Sequence, residues 1–236
     1  MRVRVLVVAL VIPLVTVAPA PARARTPVEL GAAIDDTGFQ APDARYRNTL
    51  ALYGAVVAES AFKIGELEPQ QGAFSFGLQD QMVAWSAAQG QQFHGHTLVW
   101  CDDTWLPGWL LNRAWTPDEL RVLMHDYITT VMQHFGTAVG SWDVVNEAFN
   151  ADGTLRDCLW SRVLGAGYIE QAFRDARAAL PTATLFYNEY KADWVNSRFT
   201  AMEDMARDFI ARGVPLDGIG LQMHLFGRAP DRKSVV

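Results

Sequence analysis

Trp142-Asp143-Val144-Val145-Asn146-Glu147 decides how this chain is read. Its apolar, β-branched middle has the character of a buried strand, and it ends on a carboxamide and a carboxylate. Such a strand delivers polar groups to the rim of a sheet. Runs of the same kind recur outward from it, at residues 30–34, 56–59, 93–100, 184–188 and 218–225, with 141–147 fourth in order. Helical patterns separate them, at 42–52, 76–88, 117–135, 168–180 and 194–211. Thr116-Pro117-Asp118-Glu119 is the clearest helix start, with Thr116 as cap, Pro117 at the first helical position and Glu119 closing a capping box. Gly90, Gly136, Pro181 and Gly213 mark the helix ends, and residues 66–72 read as a loop. Strands alternating with helices predict an α/β fold with a parallel sheet. Six strands suit a doubly wound sheet or three quarters of a (β/α)8 barrel. The segment after the first strand lacks the Gly-rich phosphate fingerprint.

The chain has 236 residues, half of them hydrophobic, which suffices for a large core. Residues 1–24 predict a signal peptide: Arg2 and Arg4 lead, an apolar stretch follows, and Ala22-Arg23-Ala24 fits a cleavage site. A membrane anchor is the other reading, but an apolar run of about 14 residues is short for a bilayer. The expected mature chain is therefore secreted or periplasmic, with no membrane attachment after cleavage. Losing residues 1–24, which hold three Arg and no acid, takes the net charge from -6 to -9. No basic stripe remains for nucleic acid. Export permits a disulfide between Cys101 and Cys158, each just after a predicted strand. Two separate thiols are the alternative.

Polar and aromatic residues gather at the C-terminal ends of the predicted strands. The second ends at Glu59, with Lys63 soon after. The third carries His94, His96 and Trp100. The fourth ends at Asn146-Glu147, the fifth at Asn188-Glu189-Tyr190, and the sixth carries Gln222 and His224. Any one of these could be a satisfied structural group, but active sites of parallel barrels lie at that face. His94 and His96 share one strand face without a third partner in a recognisable motif, so no metal site is expected.

Taken together these segments resemble glycoside hydrolase family 10, the retaining endo-β-1,4-xylanases. His94-Gly95-His96-Thr97-Leu98-Val99-Trp100 is similar to the family's third-strand motif, and residues 142–147 match its W-D-V-V-N-E. Residues 185–190 are similar to its fifth-strand motif, and residues 217–225 match D-G-I-G-x-Q-x-H. Glu68-Pro69, Gly72 and Phe74-Ser75-Phe76 are similar to a further family segment. The resemblance implies a (β/α)8 barrel and hydrolysis of xylan without a cofactor. It implies that Glu147 is the general acid/base, a role suited to a carboxyl in a partly apolar site. It implies that Asn146 holds the substrate 2-hydroxyl, that Glu59, Lys63, His96, Trp100, Tyr190 and Gln222 bind sugar, and that His224 orients the nucleophile.

The chain also departs from the family pattern. The family's nucleophilic Glu lies on a seventh strand in T-E-L-D, and no Thr-Glu-Leu-Asp occurs in this sequence. Residues 227–236 match nothing in the family pattern, so residues 25–226 are expected to form a partial barrel of about six βα units. Retention needs two carboxylates about 5 Å apart, and neither Glu189 nor Glu59 lies on the right strand to replace the nucleophile. Ser60 stands where the family has Asn, Cys101 replaces a His, Asp103 replaces a Gln, and the segment up to Trp105-Leu106-Pro107 is lengthened. The expectation is a monomeric xylanase domain acting on xylan or xylo-oligosaccharides, with a non-catalytic xylan-binding remnant or another retaining (β/α)8 glycosidase, such as a cellulase, as alternatives.

Overall fold

The computed structural model describes residues 29–224. The predicted signal peptide and the tail at 227–236 lie outside them. Six parallel strands form one sheet, β1 (Gly31–Ile34), β2 (Ala55–Ala58), β3 (Gln92–Trp100), β4 (Ser141–Asn146), β5 (Thr184–Glu189) and β6 (Gly218–Leu221). Their spatial order is their chain order. A doubly wound sheet reverses its strand order at a switch point. An unreversed order is that of a (β/α)8 barrel, of which six strands are present among the described residues.

Helices α1 (Asp36–Gln40), α2 (Arg45–Leu50), α3 (Ile64–Leu67), α4 (Gly77–Ala88), α5 (Gly108–Leu111), α6 (Pro117–Phe135), α7 (Leu159–Leu164), α8 (Gly167–Ala179) and α9 (Ser197–Arg212) fill the connections. The capping box read from sequence is formed: Thr116 Oγ1 accepts from the Glu119 amide at 3.3 Å, and Glu119 Oε2 accepts from the Thr116 amide at 3.0 Å. The core lies between the sheet and these helices. Phe62 joins it with ring centroids 5.0 Å from Phe93, 4.9 Å from Phe135 and 5.9 Å from Trp142. Gly95 lies flat under Trp142, where an added Cβ would sit 2.1 Å from the indole. Only glycine admits that approach.

The opposite face of the sheet is polar. Gln92, His94, Ser141, Asp143, Thr184 and Asn188 help line a hollow of about 450 Å³. Alternation along strands sends these residues to one face and their neighbours into the core.

Several boundaries differ from the sequence reading. The helix expected at 42–52 is the shorter α2, and α1 precedes it, capped by Asp35 Oδ2 accepting from Gly38. The loop expected at 66–72 starts inside α3. The helix expected from Trp194 starts at Ser197, because the Asn196 side chain accepts from the Phe199 amide and fixes the cap there. The sixth strand, expected to reach 225, stops at Leu221, and Met223 adopts a left-handed φ of 50° that no strand continues. The two cysteines are joined as Cys101–Cys158.

Candidate active site

Register carries the site. Trp100 pairs with Asn146, and Asn146 with Asn188, so three strand ends stop at one level. Glu147 follows immediately. Its amide still donates to Asn188 O at 2.9 Å, but its φ of 57° turns the chain out of the strand. A left-handed conformation is costly for a non-glycine residue and recurs at functional sites. Here it swings the carboxylate over the strand ends.

Three donors from three parts of the chain fix that carboxylate. Trp100 Nε1 and Arg156 Nη1 each donate to Oε2 at 3.0 Å, and Gln222 Nε2 donates to Oε1 at 2.9 Å. The Glu147 side chain is 12% exposed, so it is sheltered yet reachable. Asn146 is fully buried beneath it, with its carboxamide oxygen 3.0 Å from Asn188 Nδ2 and 3.2 Å from Gln222 Nε2. His224, which is exposed, lies 2.9 Å from Gln222 Oε1 through its Nε2. The three groups thus form the series His224, Gln222, Glu147.

On the other side, Lys63 is buried, and its ammonium donates to the Glu59 carbonyl. Its Nζ also lies 5.4 Å from the Trp100 ring centroid and 5.7 Å from that of Trp105. Burial drives its pKa down to about 8, against the attraction of Asp36, Glu59, Asp143 and Glu147. Glu59 itself is exposed. His94 Nε2 and His96 Nδ1 converge on Asp143 Oδ2, at 3.1 and 2.8 Å. Burial opposes ionisation of Asp143, but the hydrogen bonds and charge of the two histidines overcome it and hold the carboxyl below its ordinary value. Asp143 thereby orients His96 beside Trp100, with ring centroids 6.1 Å apart. Among the described residues no group of three or more His, Cys, Asp or Glu is arranged to hold a metal ion.

The strand-end pair Glu189 and Tyr190 is held by Arg198, and Tyr190 also lies close enough to Arg156 to attract its charge. Glu189 is fully buried among the side chains behind the sheet, where it accepts from Tyr187 Oη at 2.6 Å and from the Tyr190 amide at 3.1 Å, with Arg198 Nε 3.8 Å away. Burial pushes its pKa up to about 7. Tyr190 lies under the Arg198 guanidinium, 4.0 Å from its ring centroid, and its hydroxyl accepts from Arg198 Nη2 at 3.1 Å. The remaining predicted site residues, Glu59, Lys63, His96, Trp100, Asn146, Gln222 and His224, gather around Glu147 or the wall that leads to it.

Sequence reading passed over Arg156 and Asp102. Arg156 Nη2 pairs with Asp102 Oδ2 at 2.9 Å while its Nη1 holds Glu147. The loops after β3 and β4 are locked together around this pair. The Cys101–Cys158 bridge ties them, Asp103 Oδ2 pairs with Arg162 Nη2 at 2.5 Å, Asp103 Oδ1 accepts from the Leu159 amide at 2.8 Å, and Trp160 Nε1 donates to Trp100 O at 3.1 Å. The signal available in sequence was an Arg two residues before a Cys, in the loop that follows the Asn-Glu strand end. A separate cleft of about 530 Å³, between α6 and residues 68–74, contains none of the predicted site residues.

The model of Glycosyl hydrolase family 10 matches residues 21–235. Endo-1,4-beta-xylanase A of Fusarium oxysporum f. sp. lycopersici is 40% identical over 73% of this chain and 52% of its own length. Endo-1,4-beta-xylanase B of Thermotoga neapolitana is 34% identical over 88% of this chain and 60% of its own length. The solved structure of xylanase 10B from Thermotoga petrophila in complex with xylobiose superposes with a TM-score of 0.81 at 35% identity, over 84% of this chain and 60% of that one. The chain thus spans roughly half to three fifths of these relatives. With a family match across most of its length and a barrel-ordered sheet that carries the Asn-Glu strand end, the chain belongs to glycosyl hydrolase family 10.

Proposed function

We propose that this chain carries the acid/base side of a retaining endo-β-1,4-xylanase site. The observation that carries the reading is the Glu147 carboxylate, held over the strand ends by Trp100, Arg156 and Gln222 with Asn146 directly beneath. In the first step Glu147 gives its proton to the glycosidic oxygen as the bond to the anomeric carbon breaks, and in the second it takes a proton from the attacking water. Between the two steps a carboxylate nucleophile bonds the anomeric carbon. Buried Glu189 does not serve as that second carboxylate, since it is held by Tyr187 and the Tyr190 amide. Asn146 is assigned to the substrate 2-hydroxyl, Lys63, His96, Trp100 and Glu59 to the glycone side, and His224 to the nucleophile's position through Gln222. The xylobiose complex of the Thermotoga petrophila relative and the xylanase names of the others support xylo-oligosaccharide as ligand. The Cys101–Cys158 bridge and the leader-like residues 1–24 support export to an oxidising compartment.

The test is calorimetric titration with xylo-oligosaccharides beside an assay of xylan hydrolysis. Binding of xylo-oligosaccharides is the expected result, with any hydrolysis of xylan abolished by Glu147→Gln. No binding overturns the reading. A rate on xylan that survives Glu147→Gln unchanged overturns the acid/base assignment.

A further inference from the structure

The lengthened segment after β3 forms a single 3-10 turn, Asp103–Trp105, and places one large ring in the open. Trp105 is 44% exposed. Its inner face lies parallel to Trp100, with centroids 5.2 Å apart and planes 12° apart. The buried Lys63 ammonium lies 5.4 and 5.7 Å from the centroids of the Trp100 and Trp105 rings. Trp100 donates to Glu147, so this wall begins at the acid and runs outward to Trp105.

Packing alone does not account for the second ring. A tryptophan whose task is to brace Trp100 gains most by burying itself, yet nearly half of this one remains in water. Trp100, Trp109, Trp115, Trp142 and Trp160 each donate their indole N–H to a named acceptor; Trp85, Trp105 and Trp194 do not among the described residues, and of these three only Trp105 stacks on a ring that itself donates to Glu147. The turn that carries it is held with unusual firmness. Asp102 Oδ1 accepts from the Thr104 amide at 3.0 Å and from its hydroxyl at 2.7 Å, Asp102 and Asp103 are both ion-paired, and Cys101 is bridged. A rigid turn presenting a flat, half-exposed ring with a free N–H at its edge is a preorganised platform for an apolar face bearing hydroxyls. The C–H face of a pyranose is such a surface.

We infer that the outer face of Trp105 is a sugar subsite, which stacks a neutral β-1,4-linked pyranose of the same chain whose scissile bond lies at Glu147, farther out along the cleft than Trp100. This rests on the xylanase reading above and adds a specific residue and chain-length dependence to it. The test is titration of xylobiose, xylotriose and xylohexaose into the whole protein, its Trp105→Ala variant and its Trp105→Phe variant, with circular dichroism to check the fold. Trp105→Ala should bind xylobiose as the unmodified protein does and xylohexaose about tenfold more weakly, and Trp105→Phe should recover most of that loss. Equal affinities at every length overturn the subsite. An equal loss for xylobiose and xylohexaose assigns Trp105 to bracing Trp100 and also overturns it. Absence of binding by the unmodified protein overturns the xylanase reading as well.

Discussion

Lys63 holds a charged side chain inside the fold at a cost to stability. It is buried with its charge, and a fall in pKa from the usual 10.5 to about 8 corresponds to about 3 kcal/mol of disfavour for the ammonium. Between those two values the unfolded chain binds the proton and the folded one does not, so stability rises with pH through that window. Lys63→Met should therefore melt several degrees above the unmodified protein at pH 7, and the gap should narrow as pH passes 8 towards 10. Melts at pH 7 and pH 9.5 check this, and the same variant should lose most xylo-oligosaccharide affinity at pH 7. Trp100, Asn146, Glu147 and Gln222 could be singled out because each sits at or just past a strand end, a place that period-two patterning locates, whereas Lys63, five residues beyond β2, was singled out through the family resemblance. Arg156 and Asp102 were not, because their pairing is made by loop folding and leaves no periodic trace. Glu189, set aside as a nucleophile on sequence grounds, is buried: alternation points it to the core face, one residue after the inward-facing Asn188.

Among the elements, β3 and β4 hold the site together. Their contact depends on Gly95 lying under fully buried Trp142. Gly95→Ala would drive a methyl into the indole, an overpacking that costs roughly 3 kcal/mol or more. Urea denaturation should show that loss, or the variant should fail to appear in soluble form. The loops beyond these two strands are bound by a disulfide spanning 57 residues. Replacing both Cys101 and Cys158 by Ser should lower stability by about 2–4 kcal/mol and weaken xylo-oligosaccharide binding, measured by guanidinium unfolding and titration. Long strands and helices were readable because burial imposes a period over many residues. The short helices α3, α5 and α7 have four, four and six residues, too few to express one. The end of β6 was misjudged because Gln222-Met223-His224 keeps a strand-like alternation, while the left-handed turn at Met223 depends on Asp193 Oδ1 accepting its amide at 3.0 Å.

For the molecule as a whole, the sheet's curvature and its charge matter most. The barrel class was legible because several ordered motifs, spaced by one βα unit each, leave few other folds. Which way each loop closes was not. Among the described residues β1 pairs only with β2, and β6 only with β5. The net charge of -6 at pH 7 opposes contact between copies. Acidification from pH 7 towards pH 5 should raise light scattering at constant protein concentration, and added salt at pH 7 should do so too by screening. Unchanged scattering under both conditions would show that charge is not what keeps copies apart. A different consequence follows from Gln222. The Glu147 carboxylate takes one of its three tethers from a residue just past the four-residue β6, a short element of the kind that frays early on warming. Warming should therefore disarm Glu147 before the chain unfolds, with ligand affinity fading several degrees below the loss of helical signal.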